Sequence, residues 1–129
     1  MKVAFTSSDG ERVDEHFGMS RAYWIWEIGA DQAEPLGQVA PLISGDDEED
    51  RTTARADAVA GCSIVYTVQI GGPAAAKLVS RRIHPLKTGA VVPIPEAIAR
   101  LQAVLRGNPP PWLRKALGRA PAPVSIAEE

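Results

Sequence analysis

Residues Cys62–Arg82 read "CSIVYTVQIGGPAAAKLVSRR". The first nine are rich in β-branched and aromatic side chains, the composition of a buried strand. Two glycines follow. Pro73 then opens a run of alanine, lysine and leucine that favours a helix, with the proline at the first turn, where its missing N–H is harmless. A strand that turns through Gly-Gly into a helix is most of a strand–helix–strand unit, and such units build parallel sheets. Downstream, "TGAVVPI" (88–94) reads as the next strand. "PEAIARLQAVLRG" (95–107) reads as a helix, with Ile98, Leu101, Val104 and Leu105 on one apolar stripe and Gly107 as its stop.

Upstream, "SGDDEEDRTTARADAVAG" (44–61) predicts a helix capped by Ser44 or Asp46, with the acidic first turn that the helix dipole favours, ended at Gly61. Three strands precede it: "KVAFT" (2–6), "RAYWIWEI" (21–28) and "LGQVAPLI" (36–43). The middle one is apolar on both sides. Its alternation sets Tyr23 and Ile25 on one face and Trp24, Trp26 and Ile28 on the other, so both faces of the sheet are covered. Pro41 puts the third strand at an edge. The order is β-β-β-α-β-α-β-α. It predicts an α/β fold: a mixed five-stranded sheet with helices on both faces, of ribonuclease H-like architecture. Residues 1–107 form this domain. Residues 108–129, "NPPPWLRKALGRAPAPVSIAEE", are a proline-rich C-terminal extension, helical around Trp112–Leu117.

Composition narrows the function. A net charge of −2 and a pI of about 5.7 argue against a nucleic-acid binder, which needs clustered positive charge. One cysteine allows no internal disulfide and suits a reducing cytoplasm. The opening residues are too polar for a signal peptide, and no stretch approaches the roughly 20 apolar residues of a membrane span. The expectation is a cytoplasmic protein with no membrane partner.

In an open α/β sheet, ligands gather at the carboxyl ends of the parallel strands. The first strand feeds "SSDGERVDEHFG" (7–18) into that rim, and the strand from Cys62 feeds Gly71-Gly72 into it. Glycines before a helix free backbone N–H groups at its positive end, which suits an anion. His16 is the one histidine expected there. Neutral imidazole is a ligand for iron and other transition metals, and Asp14 and Glu15 are near enough in sequence to orient it. Cys62 and His84 are expected at the opposite, amino end, Cys62 as a buried small side chain and His84 as a turn residue before Pro85. No Cys-x-x-Cys or paired Cys-His spacing exists to hold a zinc or iron–sulfur centre outright. "DDEED" (46–50) is a solvated helix start. A two-metal nuclease would need carboxylates in the central strands, and "KVAFT" has none. Trp112 suits either a docking surface or a tail folded back on the sheet.

"MKVAFTSSDG", "VDEHFG", "SRAYWIWEI", "VQIGGPAAAKLV" and "NPPPWLRKAL" together resemble the NifX family of nitrogenase iron–molybdenum cofactor biosynthesis proteins, with NafY, VnfX and the C-terminal domain of NifB among its relatives. The similarity runs from Met1 to about Gly118. The resemblance implies a ribonuclease H-like fold and a non-enzymatic role. That role is transient binding of an iron–sulfur precursor of the cofactor, such as the NifB product, and its transfer to the NifEN scaffold. It carries the family's cofactor-binding histidine onto His16, as metal ligand, and the second site loop onto Gly71 and Gly72. Ser7, Asp9, Phe17 and Gly18 of the opening loop join the expected cofactor-binding set. The alternative is an adaptor, or a negative regulator of nitrogen-fixation genes, that acts by protein contact without a cluster.

Overall fold

The structure is a computed structural model and describes residues 1–119. A five-stranded sheet runs through its centre in the spatial order β4-β3-β1-β5-β6. The strands are β1 (Lys2–Thr6), β3 (Tyr23–Ile28), β4 (Ala33–Val39), β5 (Ile64–Thr67) and β6 (His84–Lys87). The short β2 (Arg12–Val13) and β7 (Val92–Pro93) pair antiparallel as a separate ladder. β3 runs antiparallel to both β1 and β4, whereas β5 is parallel to β1 and β6 is parallel to β5. The carboxyl ends of β1, β5 and β6 therefore share one rim.

Both faces of the sheet are covered, as the double-sided apolar pattern of "YWIWEI" requires. Ala4, Tyr23, Ile25 and Val65 face a layer made by α1 (Glu48–Ala58) and α2 (Gly72–Ser80). Val3, Phe5, Ile28 and Ile64 face α3 (Ile94–Arg106) and α4 (Pro111–Arg119). α3 presents Ile94, Ala97, Ile98 and Leu101 inward, at the spacing of one helical stripe. α4 seats Leu113, only 1% exposed, in the same core. Trp112 stacks on His84 with ring centroids 3.7 Å apart. The segment from Pro111 to Leu117 is thus folded back on the sheet; the rest of the predicted extension, residues 120–129, lies outside the described residues.

Several boundaries differ from the sequence expectation. The fifth strand of the sheet is His84–Lys87, and "TGAVVPI" contributes only the two-residue β7 outside it. Pro85 disguised that strand. It has no N–H to donate, a defect that an edge strand such as β6 tolerates. His84 is accordingly a strand residue and not a turn residue. β4 starts and ends earlier than predicted and contains Pro35 instead of Pro41, still at a sheet edge. α1 is capped by Asp47, whose carboxylate accepts the N–H of Glu49, and not by Ser44 or Asp46. Among the described residues no helix is long and apolar enough to cross a membrane.

If α4 is part of the cooperative unit, Leu113→Ala lowers stability by about 2–5 kcal/mol in urea unfolding. Val104→Ala, at a position 41% exposed, changes it by less than about 0.5 kcal/mol. Equal stability of the two variants would detach α4 from the core.

Candidate functional site

The first half of the loop after β1 is a tightly bonded turn. The Ser7 hydroxyl accepts the N–H groups of Asp9 (3.2 Å) and Gly10 (2.8 Å). The Asp9 carboxylate accepts the N–H groups of Glu11 (2.8 Å) and Arg12 (3.1 Å) and pairs with the Arg12 guanidinium. These bonds, the Glu11 amide foremost, hold its pKa down at about 2. Gly10 has φ +81° and lies on the Trp24 ring: a Cβ there would stand 2.8 Å from it. The indole N–H of Trp24 donates to the Ser7 carbonyl. Asp14 closes the turn by accepting both the N–H and the hydroxyl of Ser8. Ser7 and Asp9 thus spend their polar atoms on the turn's own shape. Asp14 does the same and does not orient His16.

The second half is pinned to the end of β5. The carbonyl of Glu15 receives three donors: the Val68 N–H (3.0 Å) and the hydroxyls of Thr6 (2.9 Å) and Thr67 (3.1 Å), both side chains fully buried. The next bond along is Phe17 N–H to the Gln69 carbonyl at 2.9 Å, so His16 forms an isolated parallel bridge with Gln69. The Phe17 ring is buried against Tyr23. Its carbonyl accepts the Tyr23 hydroxyl at 2.9 Å. Arg55, from α1, reaches over to the Ser20 carbonyl (2.6 Å) and the Tyr23 hydroxyl (3.2 Å).

Anchored on both sides, His16 itself is exposed. Among the described residues its imidazole has no hydrogen-bond partner. Two residues beyond its bridge partner comes Gly71, the N-cap of α2, which offers no side-chain cap. Its φ of −76° is open to any residue. A Cβ at Gly18, Gly71 or Gly72 would meet nothing within 4 Å. The glycines are therefore not demanded by the local packing, and they leave room beside the positive end of α2. The arrangement supplies one imidazole, backbone N–H donors and space. Among the described residues no three His, Cys, Asp or Glu side chains converge on a metal-binding point.

Three positioning residues carry no signal in the sequence. Thr6 and Thr67 pass for ordinary strand formers, and Arg55 for a solvent-facing helix residue. Met19, which follows His16 on a short 3-10 turn and is 74% exposed, carries none either. Cys62 and His84 lie at the amino ends of β5 and β6, away from this rim. Burial pushes the Cys62 thiol up to about 12, so it stays protonated. Partial burial lowers the pKa of His84.

The sequence profile of the family described as "Dinitrogenase iron-molybdenum cofactor" matches residues 1–104. The chain belongs to that family. Protein NifX of Herbaspirillum seropedicae is 36% identical over all of this chain and 90% of its own length. Protein NifX of Rhodobacter capsulatus is 38% identical, over 92% of this chain and 78% of its own. Protein NifY of Azotobacter vinelandii is 38% identical over 94% of this chain, which spans only 50% of it. Among solved structures, the crystal structure of PH0822 superposes with a TM-score of 0.58 at 26% identity, covering 80% of this chain and 89% of that one. Membership in the NifX family assigns the chain a role in nitrogenase cofactor biosynthesis.

The pin at Glu15 has a measurable cost of removal. Thr67→Val deletes a buried hydroxyl shared between the carbonyls of Glu15 and Gln69. It is expected to cost about 1–3 kcal/mol and to speed amide hydrogen exchange at Phe17 and Val68 more than in the strands. Uniformly unchanged exchange would mean that the loop is held by other contacts.

Proposed function

We propose that the protein carries an iron–sulfur precursor of the nitrogenase iron–molybdenum or iron–vanadium cofactor, as cargo and not as a resident prosthetic group. The observation that carries this reading is the exposed, unpartnered imidazole of His16, held beside a Gly-Gly turn with open space around it. Such cargo is bulky and anionic, and its irons accept an imidazole nitrogen. His16 supplies that one ligand. The N-terminus of α2 at Gly71 and Gly72 favours the negative charge, and Gly18 leaves room on the near side. Phe17 and the Ser7–Asp9 turn hold the loop in shape. Met19 offers an exposed, polarizable thioether at the lip.

The small number of ligands suits the task. A permanent iron–sulfur centre is held by several thiolates, whereas a carrier with one protein ligand can let go. The protein makes and breaks no covalent bond within the cargo, so it is not an enzyme. Its donor and acceptor are cofactor assembly proteins, NifB and the NifEN scaffold, met in the cytoplasm. We also assign the fold to the ribonuclease H-like architecture. The order β4-β3-β1-β5-β6, with β3 antiparallel to its neighbours and β1, β5 and β6 parallel, supports that assignment.

Anaerobic titration with the NifB product, followed by its visible absorption, tests the carrier reading. The parent protein is expected to saturate. His16→Ala should bind about 10-fold or more weakly. Gly72→Ala, at the first helical position where a Cβ would meet nothing within 4 Å, should also weaken binding without loss of stability. His84→Ala and Cys62→Ser should bind like the parent. Parental affinity in His16→Ala would overturn the assignment.

A further inference from the structure

We propose a second ligand site in this protein: a cleft on the α3–α4 face of the sheet that takes a small aromatic carboxylate. The cleft is about 480 Å³ and lies between β5, β6, α3 and α4. Its size falls within the range of small-molecule pockets, about 300–1,000 Å³. Its floor is apolar, with Leu86, Leu101 and Leu113 among its residues, and two aromatic side chains, Tyr66 and Trp112, line it. It contains none of the residues of the cluster site and lies on the face of the sheet turned away from α1 and α2.

The polar groups of this cleft are one-sided. Among the described residues Lys87 and Arg100 line it and no aspartate or glutamate does; Thr88, whose hydroxyl donates to the Ala90 carbonyl, is also in the lining. Among the described residues Lys87 has no ion-pair partner, and Arg100 pairs only with Glu96, one helical turn back. The Tyr66 hydroxyl has no hydrogen-bond partner among the described residues. Burial raises its pKa to about 12, so it remains a proton donor at neutral pH. An apolar slot bordered by two cations and a phenol O–H asks for a flat apolar body with an acceptor-only, negatively charged head. A carboxylate on an aromatic ring meets that description.

The test uses the full chain and a fluorescent aromatic anion, 8-anilinonaphthalene-1-sulfonate, with the carboxylate 3-phenylpropionate as competitor. Saturable one-site binding is expected, with displacement by 3-phenylpropionate and at least about 10-fold weaker displacement by the neutral 3-phenylpropanol. Lys87→Gln combined with Arg100→Gln should weaken the probe several-fold. Val104→Trp, which fills the cleft from an exposed position, should abolish binding. His16→Ala should bind the probe like the parent, which keeps this result independent of the cluster reading. Lack of saturable binding by the parent, parental binding in Val104→Trp, or equal competition by the neutral alcohol overturns the proposal.

Discussion

One backbone carbonyl organises the candidate site. Glu15 O receives the Val68 N–H and the two buried threonine hydroxyls, at 2.9–3.1 Å. Neither threonine side chain has water available, so each hydroxyl needs a protein acceptor; Thr6 shares its one proton between Glu15 O and Tyr66 O, and Thr67 between Glu15 O and Gln69 O. That requirement ties the loop after β1 to the end of β5. It fixes the residue after Glu15 next to Gln69, three positions before the helix that starts at Gly72. His16 can then be exposed and still be held in place, because the bonds that hold it belong to its neighbours.

The sheet makes that arrangement possible. β1 and β5 are adjacent and parallel, so their carboxyl ends arrive at the same rim. Their side chains are apolar toward both faces, which obliges helices to cover both. α1 contributes more than cover: Arg55 reaches the carbonyl of Ser20 and steadies the far end of the 3-10 turn that contains Phe17. On the other face α3 and α4 share one core through Leu101 and Leu113. There Trp112, which the sequence left between docking surface and folded-back tail, is stacked on His84. Removing residues 108–129 to look for a contact-only partner would therefore remove part of the core as well.

Much of the fold could be read from the chain because its main signals are local. Gly71-Gly72-Pro73 marks the strand-to-helix turn through glycines followed by a proline suited to a first helical turn, and the two-sided apolar pattern of β3 demands a covered sheet. β6 escaped because His84-Pro85 carries the local signature of a turn, while its strand character comes from pairing with β5. The rim that joins His16 to Gly71 and Gly72 was legible from strand direction alone. The pin that holds it was not. A threonine at the end of a strand looks the same whether its hydroxyl meets water or a carbonyl nine residues away. Ser7 and Asp9 show the reverse case. Their residue types suit ligand binding, and their polar atoms are already used within the turn.

Two loops, one bearing His16 and one bearing Gly71 and Gly72, meet on one rim beside open space, the arrangement proposed above to grip an anionic cluster. The most direct measurement is an anaerobic amide NMR spectrum of the isotopically labelled chain, recorded as a paramagnetic cofactor precursor is added. The amides of His16, Gly18, Gly71 and Gly72 are expected to broaden together and first, while those of Cys62 and His84 at the far rim stay sharp. Broadening confined to one of the two loops, or centred on the far rim, would contradict it.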